Sequence, residues 1–144
     1  MSRKPKHKQN PRPEWATSAD GKYGYVSVFA DMIDSPAFAQ LSAPAVKAYI
    51  CIRRHYAGTG GLATCPYSSF QKNGMRANTV SRAVQELEAL GFITIKCGGF
   101  PDKSNIYIFS DKWKSLTQEQ AIEKQRLFAS TWRVTHRKNP HPRW

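Results

Sequence analysis

Polar side chains recur at helical spacing near the middle of the chain. They are Arg76, Asn78, Thr79, Ser81, Arg82 and Gln85. A guanidinium group can donate two parallel hydrogen bonds to guanine, and an amide group can pair in the same way with adenine. Hydroxyl groups and arginines also bind phosphate oxygens. These residue types in this pattern therefore indicate contacts to the base edges and the phosphates of DNA.

The helix that presents these side chains is predicted over residues 76–90. Apolar residues at the spacing of one helix face form its opposite side, namely Val80, Ala83, Val84, Leu87 and Leu90. No acid precedes Glu86 in the helix, although the positive end of a helix dipole favours acids. An acid-free first turn is expected where an external anion, such as a DNA phosphate, binds instead. The residue at which this helix begins is left undecided, because either Asn78 caps a shorter helix or the first turn frays.

A short helix is predicted before this one and a β-hairpin after it. The short helix spans residues 67–73, and Gly74 ends it, which leaves only residues 75–77 as the turn to the main helix. The hairpin has strands at residues 92–97 and 105–109, joined by a loop rich in glycine and proline. Lys96, Lys103 and Ser104 in and beside this loop are placed to reach a phosphate or the minor groove.

The flanking segments are predicted to buttress this unit. Ser35 and Ser42 cap two helices, the second ending near residue 55, and a short strand follows at residues 62–65. A capping box from Thr117 to Gln120 begins a last helix that ends near Ser130. Its apolar side forms either a packing face against the domain or a dimer seam.

The net charge of +12 is concentrated at the two ends of the chain. Residues 1–13 have no acid and carry Arg3, Lys4, Lys6, Lys8 and Arg12, and residues 131–144 have four basic residues and no acid. Such segments suit phosphate binding, because each contact releases condensed counterions. We predict a disordered basic arm (residues 1–24), a folded domain (25–116), a C-terminal helix (117–131) and a basic tail (132–144).

Several function classes lack a signal in the sequence. The histidines are scattered, and neither a phosphate-binding loop nor a catalytic or metal-binding motif is present, so we expect no enzyme, cofactor or metal. Cys51, Cys65 and Cys97 show no C-x-x-C spacing and are expected to be reduced, half-buried thiols. No apolar run is long enough to span a membrane, so we expect a cytoplasmic protein. Association with the nucleoid or a plasmid is a further expectation that depends on DNA binding.

Residues 66–113 resemble the winged helix-turn-helix domains of bacterial plasmids, phages and integrative elements. The resemblance rests on T-V-S-R-A-x-x-E-L-E-x-x-G-F-I, which begins at Thr79, and on NIYIFSDKW, which begins at Asn105. It implies an α+β fold with a helical N-terminal part, a small three-stranded sheet with a wing, and an extra C-terminal helix. By this resemblance the six polar residues of the main helix would face DNA. Arg76-Ala77 departs from the pattern, because relatives often place a serine cap there.

The resemblance implies double-stranded DNA as the partner, with a homodimer possible. The leading expectation is sequence-specific binding by a transcriptional regulator of a mobile element, with residues 76–90 in the major groove and the wing at residues 96–105 on the backbone or minor groove. A replication, partition or excision accessory factor of a plasmid or phage is the alternative, since fold does not decide function. A protein-interaction module whose basic ends hold an acidic partner is the alternative of another class.

Overall fold

A computed structural model of the chain describes residue 15 and residues 26–56, 60–96 and 105–138, with side chains as far as residue 133. Its helices are α1 (Ala30–Ile33), α2 (Pro36–Ala39), α3 (Ala43–Arg54), α4 (Tyr67–Lys72), α5 (Ala77–Ala89) and α6 (Gln118–Lys138), with a 3-10 turn at Lys112–Ser115. Its strands are β1 (Leu62–Thr64), β2 (Ile93–Lys96) and β3 (Ile106–Phe109). The predicted basic arm, apart from residue 15, and the loop between β2 and β3 lie outside the described residues.

The three strands form one antiparallel sheet in the order β1-β3-β2. Ala63 of β1 and Ile95 of β2 both pair with Tyr107, which lies in the central strand and is fully buried. The predicted α+β class with a small three-stranded sheet is therefore confirmed for the described residues. None of the described helices is long and apolar enough to cross a membrane.

Serine caps start the two helices that precede the sheet. The Ser35 hydroxyl accepts a hydrogen bond from the backbone N–H of Phe38 at 3.2 Å, and the Ser42 hydroxyl accepts one from Ala45 at 3.4 Å. Each cap satisfies a backbone donor that has no partner within the helix. Both predicted helix starts are confirmed, and α3 runs from there to Arg54, close to its predicted end.

The apolar side of α5 supplies much of the core. Its five predicted core residues, Val80, Ala83, Val84, Leu87 and Leu90, are all at most 3% exposed. α5 packs against α3, α4, β2 and α6. Phe70 of α4 is also fully buried, and Gly74 adopts φ +82° after that helix, as its predicted role in ending the helix requires. The turn to α5 covers residues 73–76 instead of the predicted residues 75–77, because α4 ends at Lys72 and Ala77 already belongs to α5.

α6 begins as predicted but is longer than predicted. The backbone N–H of Thr117 donates to Gln120 Oε1 at 3.0 Å, and the N–H of Gln120 donates to Thr117 Oγ1 at 3.2 Å, so the capping box is present. The helix continues to Lys138, and the predicted end near Ser130 is therefore wrong. Ala121 is fully buried where α6 packs against α2 and α5, whereas Ile122 of the same apolar stripe is 45% exposed, so only part of the stripe is covered by the domain.

Candidate nucleic-acid interface

α5 exposes a narrow strip opposite its core side. Asn78, Arg82 and Gln85 are exposed, while the buried residues extend around the helix from Glu86 to Ser81. At about 100° per residue, this buried arc covers roughly 220° of the helix. The remaining strip, between the two flanks, holds Asn78, Arg82 and Gln85, with Ala89 near the C-terminal end, and Arg82 is its only charged residue. It can therefore offer one forked cation and two amide groups to a ligand.

Arg76 occupies the position that precedes the first residue of α5. Its backbone is extended, with φ −81° and ψ 157°, and its side chain is exposed and makes no capping hydrogen bond. The open question about the helix start is thus resolved: α5 begins at Ala77, and neither Asn78 nor a serine caps it. The first turn contains no acid. The positive end of the helix dipole is therefore not compensated by the helix's own side chains.

Ser81 does not lie on the exposed strip. Its side chain is only 6% exposed, and its hydroxyl accepts a hydrogen bond from Gln85 Nε2 at 3.3 Å. The predicted exposure of Ser81 is wrong, because residues about 100° from the core stripe are covered where neighbouring elements pack on α5. Thr79, on the other flank, is partly buried. A serine in this place can orient Gln85 but is not itself available to a ligand.

Glu86 is a buried carboxylate that links three helices. It is 1% exposed and accepts hydrogen bonds from the backbone N–H of Ser42 at 3.0 Å, from the Ser42 hydroxyl and from Gln125 Nε2. Ser42 caps α3, so the carboxylate lies at the positive end of that helix, where an acid is stabilised. Glu86 therefore fixes α3 and α6 against the same flank of α5. The sequence placed it on a flank but did not predict its burial.

α6 forms one wall of a cleft beside the exposed strip. The cleft has a volume of about 590 Å³. It is lined by Asn78, Thr79, Arg82, Ala83 and Glu86 of α5, by Ser42 and Pro44, and by Gln125 and Trp132 of α6. Three of the predicted DNA-contacting residues therefore share one concave surface. The part played by α6 was missed, since its apolar residues were predicted only as a packing face or a dimer seam.

The remaining predicted site residues do not join this surface in the described part of the chain. Lys96 is exposed at the end of β2. Lys103, Ser104 and the cations of the arm, Arg3, Lys4, Lys6 and Lys8, lie outside the described residues. Their roles stay predictions.

The two described thiols are placed in the core. Cys51 and Cys65 are both free and buried, more deeply than the half-burial predicted for them, and Cys97 lies outside the described residues. Burial raises the pKa of both thiols, and that of Cys65 rises to about 12, so both stay protonated at neutral pH. A protonated, buried thiol is a poor nucleophile and a poor metal ligand. Among the described residues, no group of three or more histidine, cysteine or acidic side chains is placed to hold a metal ion.

Comparison of the chain with protein-family models, with curated proteins and with solved structures finds no match. Function is therefore inferred from the residues of α5 and from the elements that hold them.

Proposed function

We propose that the protein binds double-stranded DNA in a sequence-specific manner as a winged helix-turn-helix protein. The observation that supports this most directly is the exposed strip of Asn78, Arg82 and Gln85 on a helix whose other sides are held by the core. Side chains of these types read guanine and adenine in the major groove. The uncapped, acid-free start of α5 adds a place for a phosphate.

The order of the elements supports the same proposal. α4 and α5 are joined by a turn of four residues, 73–76, and β2 and β3 form an antiparallel hairpin directly after α5. This succession is the one expected of a helix-turn-helix followed by a wing. In such a protein α5 enters the major groove, and the loop between β2 and β3 reaches the backbone or the minor groove. The net charge of +12 favours association with DNA before any base is read.

We propose that the biological role is transcriptional regulation within a bacterial mobile element. A role in replication, partition or excision would use the same contacts to DNA. The arrangement of sites distinguishes the two roles: a single operator beside a promoter favours regulation, and an array of sites at an origin favours replication or partition. Binding as a homodimer would give half-sites about 10 bp apart.

The proposal is tested by selecting bound sequences from a random DNA pool at near-physiological salt. We expect an enriched motif, and we expect Arg82→Ala to reduce affinity for that motif about tenfold or more, because one bidentate base contact discriminates by about 1–3 kcal/mol. Non-specific affinity should fall much less. Lys124→Ala serves as the matched control, since it also removes one exposed cation but lies on α6 away from α5's exposed strip.

Two results would contradict the proposal in different ways. A pool that yields no motif, although the protein is folded, would refute sequence-specific binding. Equal losses on specific and non-specific DNA for Arg82→Ala would remove this residue from base recognition and reduce it to a phosphate contact.

A further inference from the structure

The C-terminal half of α6 lies beside the N-terminal half of α5. Gln125 of α6 donates a hydrogen bond to Glu86 of α5. Seven residues further along α6, Trp132 lines the cleft together with Asn78 and Arg82. As α6 advances, its neighbours on α5 move back toward the start of that helix. The two helices therefore run antiparallel, and α6 leads toward the end of α5 that the proposed function directs at DNA.

The charges of α6 are divided between its two halves. Before Trp132, two acids balance two bases, and Arg126 forms an ion pair with Glu123. After Trp132 the helix has three cations, Arg133, Arg137 and Lys138, and no acid. Residues 133–138, which follow Trp132, extend the helix by about 9 Å at 1.5 Å per residue. The positive half of α6 thus begins where the cleft borders the start of α5.

The dimensions of DNA determine where this half of α6 can lie, given the proposed function. The major groove is about 12 Å wide and about 8.5 Å deep, and it admits one helix. A helix with its side chains is about 10–12 Å in diameter, and the axes of packed helices are about 8–10 Å apart. A helix packed on the flank of α5 cannot share the groove with it. The position beside the groove that remains for such a helix is over the phosphate strand that borders it.

We propose that the C-terminal half of α6 is a second DNA-binding element that holds this bordering phosphate strand at the mouth of the cleft between α5 and α6. This inference rests on the proposed function and adds the second contact. Arg133, which is exposed and directly follows Trp132, is the first cation of this element. The floor of the cleft contains the buried carboxylate of Glu86, whose hydrogen bonds to Ser42 and Gln125 are already made. The phosphate strand therefore contacts the rim of the cleft and not its floor.

The test compares Arg133→Ala with Lys124→Ala, which removes the same charge from the first half of the same helix. Affinity for the selected motif and for unrelated DNA is measured over a series of salt concentrations. We expect Arg133→Ala to weaken binding to both DNAs about threefold and to reduce the slope of log affinity against log salt by about 0.9, the value for one phosphate contact. Arg133→Lys should restore the slope, and Lys124→Ala should leave it unchanged.

Each outcome decides one of the two proposals. Equal slopes for Arg133→Ala, Lys124→Ala and the unchanged protein, with DNA still bound, would overturn the role of α6 and leave the role of α5 intact. A loss confined to the selected motif would also overturn it, because a phosphate contact is independent of sequence. Absence of DNA binding by the unchanged protein would refute the proposed function, and the role of α6 with it. Circular dichroism of each variant confirms that the helices are retained.

Discussion

The two ends of α5 are held in opposite ways. At its C-terminal end, Leu90, Gly91 and Phe92 are buried, and the Phe92 ring stacks on Trp113 with 5.9 Å between ring centroids. The Glu88 carboxylate there accepts a hydrogen bond from the backbone N–H of Ile95 at 2.7 Å. At its N-terminal end, no side chain caps the helix and the exposed residues are polar. One end is anchored to the sheet, and the other is presented to solvent.

This difference shows how a small domain can expose a helix and still orient it. Rigid packing at one end fixes the direction of the helix axis, and the Glu86 hydrogen bonds fix its flank against α3 and α6. The N-terminal turns bury Val80 on the core side, and their opposite side stays exposed. Side chains that project from a rigid element are positioned more accurately than those on a loop, which favours recognition.

The strongest test of the anchored end is Gly91→Ala. Gly91 adopts φ +85°, and an added Cβ would lie 2.8 Å from both Lys112 Cβ and the backbone nitrogen of Trp113. We expect the free energy of unfolding to fall by about 3–4 kcal/mol, because the left-handed conformation costs about 1–2 kcal/mol and the overpacking costs the rest. Chemical denaturation measures this loss.

Gly74→Ala is the matched control for that substitution. Gly74 also ends a helix with a positive φ, +82°, but the nearest atom to an added Cβ is Lys47 Nζ at 3.9 Å. Only the conformational cost of about 1–2 kcal/mol is expected. Equal losses at the two glycines would show that the contact between Gly91 and the 3-10 turn does not anchor α5.

Glu86→Ala tests the middle of the helix and has the next largest effect. It removes the acceptor for the backbone N–H and the hydroxyl of Ser42 and for Gln125 Nε2. We expect a loss of about 2–3 kcal/mol in the free energy of unfolding, because three partly buried donors lose their acceptor at a site that is closed to water around Glu86. The thermal or chemical denaturation midpoint reports the change.

Glu88→Ala is the control on the same helix, only two residues away. Its carboxylate is exposed and accepts a hydrogen bond from the backbone N–H of Ile95, so a loss below about 1 kcal/mol is expected. If Glu86→Ala cost no more than Glu88→Ala, burial would not distinguish the two carboxylates, and Glu86 would not be the residue that holds α6.

Periodicity was sufficient to predict the core side of α5 but not its flanks. Val80 and Leu87 recur at helical spacing, so their burial follows from the local sequence alone. Ser81 and Glu86 lie at the edges of the stripe, where burial depends on which other elements pack there. The partners of Glu86 are 44 and 39 residues away in the chain, and no local pattern indicates them.

The length of α6 did have a signal in the sequence. No glycine or proline interrupts the chain between Gln118 and Pro140, so nothing stops the helix at Ser130. The prediction ends the helix near Ser130 because the basic residues from 132 onward are assigned to a tail. The cleft could not be predicted in any case, because it requires the antiparallel packing of α6 on α5.

The smallest expected effect on stability comes from a substitution at the exposed N-terminal end of α5, and it is a gain in stability instead of a loss. Arg76→Ser places a side chain that can cap the helix at the position directly before α5, where no side chain caps it in the unchanged protein. We expect the free energy of unfolding to rise by about 0.5–1 kcal/mol, since a serine hydroxyl can accept a hydrogen bond from an N–H of the first turn. If DNA binds as proposed, affinity should nevertheless fall, because the variant loses a cation at the start of α5 and the added cap competes with phosphate for the same N–H groups. Arg76→Ala separates the two effects: it should lower affinity without raising stability. A variant with serine that is more stable and binds DNA as tightly as the unchanged protein would show that no phosphate binds at the start of α5, and the open end would then have no role in recognition.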